Sequence, residues 1–272
     1  MKKPALLLTS IALACSLSSM TGCAKKTEVV YADAGYVNVN AYPNKDPNIN
    51  NIRLTAIRET ATSLGARGAL AWRSYHINQT LDQEATYLDH VFNFNDLLLS
   101  SNVLPPILVE DNDSLSLTGT DAFRSANKTY RIIAQARFVT APPTWHDYLF
   151  MPYEKPNPPD KSLMPNTQAE AIAWNQYLRE GWEQGLAQAN DIFSTNLNRL
   201  KRDYLGMILY RKLLAQNMIS SPVVAKANLG ITGNSQEMRI NDEIMRITAQ
   251  SSLQLNSGEW KPIITPATTP DQ

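Results

Sequence analysis

From Trp174 to Met207 the apolar residues return every three or four positions: Trp174, Leu178, Trp182, Leu186, Ala189, Phe193, Leu197, Leu200, Tyr204 and Met207. That is the period of one buried face of an α-helix. A stripe of this length makes the fold organise around one long helix, a rod of about 70 Å at roughly 1.5 Å per residue if unbroken. Thr167-Gln168-Ala169-Glu170 reads as a capping box that opens it, and Ser220-Ser221-Pro222 closes it. Gly181, Gly185 and Gly206 are the places where it can bend or break. Trp174 and Trp182 sit on the apolar stripe, so core residues are expected before a sugar-binding platform.

A second helical period starts near Arg53, with Leu54, Ile57, Ala61 and Leu64, and resumes after Gly65 to Gly68 with Ile77, Leu81, Ala85, Leu88 and Phe92. Two amphipathic helices broken at those glycines are predicted. Leu104-Pro105-Pro106 stops the pattern. Strands follow at Ile107 to Val109, Ser114 to Leu117 and Tyr130 to Val139, the last alternating apolar and polar residues. Ala141 to Pro165 is dense in proline and aromatics, the composition of an ordered loop pinned by rings. After Pro222 the alternation Val223, Ala225, Ala227, Leu229, Ile231 predicts another strand. Gly233-Asn234 reads as a turn, and Met238 to Thr248 as a hairpin around Asn241-Asp242. The fold class is α+β, with long amphipathic helices packed against short antiparallel strands and hairpins. Hydrophobic residues at 43% suffice for an ordinary core.

The start of the chain follows the plan of a bacterial export signal: Lys2 and Lys3, an apolar stretch from Ala5 to Ala14, then small and polar residues. That stretch is too short to cross a hydrocarbon layer, which takes about 20 apolar residues. Met20-Thr21-Gly22-Cys23 resembles a lipobox, in which the cysteine thiol receives a diacylglyceryl group and cleavage follows Gly22. Leucine is usual where Met20 stands. A plain secreted protein with an incidental cysteine is the alternative, and Cys15 has too short an apolar core before it. The expected organisation is a signal peptide over 1–22, a lipid-anchored flexible tether over 23–50, one α+β domain over 51–260 and a disordered tail over 261–272. The tether, rich in Asn with Pro43 and Pro47, reaches about 90 Å fully extended and about 30 Å as a coil.

Catalytic signatures are scarce. The formal net charge is zero, with 25 basic and 25 acidic residues, and no basic run suggests direct nucleic-acid binding. His76, His90 and His146 are the only histidines; none stands four residues from another, so no metal site is expected, although zinc through His76, His90 and a carboxylate is conceivable. Phosphate-binding and nucleophile-elbow motifs are absent, and Gly230 to Ser235 reads as a β-turn. A hydrolase acting on cell-wall glycan needs two carboxylates in a cleft, for which Glu180, beside Gly181 and Trp182, is the one candidate acid. Arg58, Arg67, Arg73 and Arg137 are candidates for anionic contacts or for an ordinary solvated face. No catalytic, cofactor-binding or metal-binding residue is assigned.

Seven stretches stand in the order found in the DotC family: Ala69-Leu70-Ala71-Trp72-Arg73, Val103-Leu104-Pro105-Pro106, Ala141-Pro142-Pro143-Thr144-Trp145, Gly181-Trp182, Gly206 to Ala215, Leu229-Gly230-Ile231-Thr232-Gly233 and Arg246-Ile247-Thr248-Ala249. The chain resembles that family from about residue 52 to about 260. Ala141 replaces a frequent Thr, and residues 23–50 do not match. DotC-type lipoproteins belong to type IVB (Dot/Icm-type) secretion systems and to conjugation systems of IncI-type plasmids, where the counterpart is TraI. The resemblance implies a structural lipoprotein of the outer-membrane core complex. It would build a ring with a DotD-like lipoprotein and a DotH-like outer-membrane protein and bring no catalytic residues. Ala24 and Lys25, behind Cys23, lack the Asp that favours inner-membrane retention. An envelope hydrolase and a peptidoglycan-binding lipoprotein are the competing expectations.

Overall fold

The computed structural model describes residues 50–117 and 123–261. The expected signal peptide, Cys23 with almost all of the tether, and the tail from residue 262 lie outside the described residues. The elements are helices and antiparallel strand pairs, the α+β class that the sequence predicts. They form two compact units, each drawn from two stretches of chain. Of the described residues, one takes those up to Asp82 with Met151–Ser194, and the other those of Gln83–Phe150 with those from Thr195 on.

The first unit is a helix pair. Helix α1, Asn51–Gln83, starts on Asn50, whose side-chain oxygen accepts the Ile52 N–H at 3.1 Å, the usual capping role of Asn. It runs through Gly65 and Gly68 without interruption, so the predicted break there is wrong. Gly65 instead lets α1 approach helix α4, Gln168–Ala215. A Cβ at Gly65 would overlap the Leu178 carbonyl oxygen, and one at Gly181 would overlap that of Thr62. The penalty glycine brings to a helix is offset by backbone-to-backbone packing that no side chain permits. Around this crossing Ile57, Ala61, Leu64, Trp174 and Leu178 form one core cluster. Ile77, Met151 and Ala189 form another, lined by Leu70, Leu81, Ile192 and Phe193.

Helix α4 is continuous over 48 residues; none of Gly181, Gly185 and Gly206 breaks it. At its start Thr167 Oγ1 accepts the Glu170 N–H at 3.2 Å, as the capping box requires. The Glu170 carboxylate reaches one residue further back than expected, to the Asn166 N–H at 2.8 Å. It also pairs with Arg53 of α1 at 3.1 Å. Arg53 further donates to the carbonyls of Ser162 and Met164. Burial would raise the Glu170 carboxyl, but the Arg53 and backbone hydrogen bonds together hold it below its ordinary value.

In the second unit the helical pattern that ends near Phe92 is carried by a separate helix α2, Ala85–Val91, so the interruption falls at Glu84. Four strands follow: β1, Val103–Leu104; β2, Ile107–Leu117; β3, Phe123–Ala134; and β4, Arg137–Phe138. β1 pairs with β4 and β2 with β3, all antiparallel. The predicted strand Tyr130 to Val139 is thus split between two sheets, with Ala136 buried where they part. In the proline-rich stretch Thr144 and Asp147 form a capping box for a short helix α3, Trp145–Leu149. Trp145 is buried and donates through Nε1 to Asp89 at 2.6 Å. Tyr148 stacks on Phe94 at 5.8 Å and donates to Asp203 at 3.2 Å; burial first, then the Asp203 charge, pushes its phenol up to about 12. Rings therefore pin this stretch as expected, although Phe150 and Tyr153 are exposed.

Helix α4 ends earlier than Ser220. Asn217 takes a left-handed φ of 57°, and the Met218 and Asn217 N–H groups bond to the carbonyls of Leu213 and Leu214. This is a Schellman cap with Asn in the place glycine usually holds. Tyr210, Leu213 and Ile219 then pack with Leu108, Tyr130 and Ile132 at the base of the β2–β3 ribbon. The last strands, β5, Val223–Gly233, and β6, Met238–Ala249, make one hairpin. Its turn lies at Asn234, whose side chain accepts the Gln236 and Glu237 N–H groups. The hairpin predicted around Asn241-Asp242 is not there: Asn241, with a left-handed φ of 57°, bulges out of the middle of β6.

Candidate interaction surface

The β5–β6 hairpin has no buried residue on either strand. Alternation along β5 predicts one covered face, and among the described residues neither face is covered. Ile231 and Ile240 are direct cross-strand partners, with exposures of 69% and 63%. Met238 opposes Gly233 next to them, and Leu229, Ile244 and Met245 are exposed further along the ribbon, the last two on opposite faces. Water-facing isoleucines on a two-stranded ribbon are unfavourable twice over. The ribbon alone is marginally stable, and contiguous exposed apolar surface of this kind marks sites that bind another protein or a membrane.

The β2–β3 ribbon shows the same contrast along its length. Its base belongs to the Tyr210 core, whereas its outer end exposes Leu115, Leu117 and Phe123. Leu117 and Phe123 are the outermost cross-strand pair among the described residues and are 85% and 71% exposed. What these ribbons offer chemically is apolar area and unpaired strand edges, the means of docking another chain.

The residues singled out for chemistry are dispersed. Glu180 is exposed on α4 and accepts a hydrogen bond from Gln176 at 3.1 Å. The shallow depression beside it is lined by α4 residues, among them Ile172, Asn175, Arg179 and Glu183. His76 packs edge-on against Trp72 at 4.3 Å, and His146 stacks on Phe150 at 4.7 Å. His90 closes the last turn of α2, where a cation suits the helix dipole. Among the described residues no group of three His, Cys, Asp or Glu side chains is placed to hold a metal ion. Arg58 lies over the Tyr177 ring and Arg73 donates to Asn190 at 2.9 Å, so these two serve the fold. Arg67 reaches only the Ser63 carbonyl of its own helix, at 3.4 Å. Arg137 lies on β4, opposite Leu104. Trp174 and Trp182 are fully buried, in agreement with the core expectation. No described helix is long and apolar enough to cross a membrane.

The apolar ribbon pairs were within reach of the sequence, because Ile231 and Ile240 flank a turn motif. Alternation alone does not say whether the covered face is covered by the same chain. Among curated proteins none matches the chain. A family model described as type IV secretory system, conjugal DNA-protein transfer (T4SS_TraI) matches residues 51–262, a span that contains both helix-pair cores and both exposed ribbons. The protein belongs to that family of type IV secretion and conjugation components.

Proposed function

We propose that the chain is a DotC-type lipoprotein of a type IVB apparatus, anchored through Cys23 in the outer membrane. In this reading it scaffolds the core complex together with a DotD-like lipoprotein and a DotH-like outer-membrane protein, and its role is structural, without catalysis. The observation that carries the reading is the β5–β6 hairpin, which exposes paired isoleucines on a well-formed but uncovered ribbon. A ring subunit needs such surfaces for its neighbours. The seven DotC-like stretches support it as well. Several of them lie at packing points: Gly181-Trp182 at the α1–α4 crossing, and Gly206, where a Cβ would overlap the base of β2.

The anchor supplies the test. Two or more acyl chains, at about 0.8 kcal/mol per buried CH₂, make attachment stable. Cys23→Ser should abolish labelling with radioactive palmitate, move the protein from the membrane pellet to the soluble envelope fraction and impair transfer. Palmitate still entering the Cys23→Ser protein would overturn the anchor assignment. Glu180→Gln should leave transfer intact at unchanged protein level, whereas loss of a general acid would lower a hydrolase by about 10²-fold or more.

A further inference from the structure

The two ribbons differ in how their charges are sorted. β2 carries Glu110, Asp111 and Asp113 and no basic residue, while β3 carries Arg124, Lys128 and Arg131 and no acidic one. On β5–β6 the signs are mixed within β6, which holds Arg239, Asp242, Glu243 and Arg246. Inside the β2–β3 ribbon the sorted charges already attract: Lys128 Nζ lies 2.7 Å from Glu110, and an Arg131 guanidinium nitrogen 2.8 Å from Asp111. The hydrogen bond that Lys128 donates to Glu110, and then the Glu110 charge, raises the Lys128 ammonium. Neither strand has a further strand beside it among the described residues, so an acidic strand and a basic strand each present an open edge.

We propose that this ribbon joins copies of the chain: the outer edge of β3 in one copy adds to the outer edge of β2 in the next. The proposal rests on the ring-subunit reading and names one of its contacts. Opposite charges on neighbouring strands attract, and like charges directly across repel. Pairing β3 with β2 repeats between copies the alternation that holds each ribbon together. Pairing β2 with β2, or β3 with β3, sets like charges side by side. Sorting by strand therefore favours the head-to-tail contact and rejects the two-fold one. Head-to-tail contacts between unlike surfaces are the kind that close into rings. Charges on edge strands commonly guard against any pairing, but a guard does not require the signs to be segregated. The exposed Leu117–Phe123 pair at the outer end adds apolar area to the same contact.

The test uses the full chain in cells carrying the apparatus, as two differently tagged variants with one added cysteine each, Ser116→Cys on β2 and Ser125→Cys on β3, with a short bis-maleimide cross-linker. Neither variant can cross-link its own ribbon, and the chain without an added cysteine gives the background. The mixed product should exceed either self-product by about tenfold. A second variant set, Glu110→Lys and Asp111→Lys with Lys128→Glu and Arg131→Glu, keeps the internal pairs with reversed sign. It should associate with itself and lose association with the unswapped chain. The cysteine pair needs no charge change and stands even where the swapped chain does not accumulate. Self-products equal to the mixed product, or a cross-link only to a different envelope protein, overturn the proposal. No product while the unsubstituted chain still sediments in a large membrane assembly overturns it and leaves the ring-subunit reading standing; a chain found only as monomer overturns both.

Discussion

Trp182 shows how much one residue contributes here. It is fully buried in the first unit, 6.2 Å from the Trp72 ring, and follows the glycine on which the two helices cross. Trp182→Ala should cost about 3 to 5 kcal/mol, seen as a lower denaturation midpoint of the purified protein and a lower steady-state level. A variant as stable as the parent would contradict an internal role. Glu170 makes a different prediction. Its folded carboxyl titrates below the ordinary 4.5, so its ion pair with Arg53 contributes fully above that value. The contribution is lost as pH falls through the lowered folded value. Glu170→Gln should therefore lower the melting temperature near neutral pH and flatten its acid decline; parallel curves for parent and variant would contradict this. Both residues were legible in the sequence, Trp182 from its place on the stripe and Glu170 from its spacing after Thr167. The Arg53 partner was not, because it lies 117 positions away and nothing local specifies it.

At the scale of elements, sequence and structure part where a local signal has two possible uses. Glycine lowers helix propensity, so Gly65 and Gly68 read as a break. Gly65 stays helical against a neighbouring backbone that no local window contains. Gly181→Ala tests this use directly: its Cβ would meet the Thr62 carbonyl, and forcing α1 and α4 apart should cost about 1 to 3 kcal/mol. A helix-propensity view predicts the reverse, a gain of up to about 1 kcal/mol. Chemical denaturation distinguishes the two by sign. Asn241 teaches the same lesson, since Asn241-Asp242 reads as a hairpin turn and pairing across the β5–β6 hairpin makes it a bulge instead. At the end of α4 the proline at 222 suggested the stop, while Asn217 makes it five residues sooner.

For the whole molecule, the sequence shows that apolar and polar residues alternate on β5, and the structure shows that no described residue supplies the cover. What covers a strand face is not written in its alternation, which is why the ribbons were legible as strands and not as a surface. The central claim is that the protein works by presenting such surfaces within a type IV assembly. Ile231→Asp combined with Ile240→Asp addresses it most directly. Each buried isoleucine contributes about 1.5 to 3 kcal/mol, so losing both should weaken docking by about a hundredfold or more, at 1.4 kcal/mol per tenfold. Because both side chains are exposed in the isolated chain, the double variant should keep its melting temperature and protein level. Measured in cells carrying the apparatus, it should fail to co-purify with the outer-membrane assembly and transfer should collapse. A double variant that assembles and transfers like the parent would contradict the account.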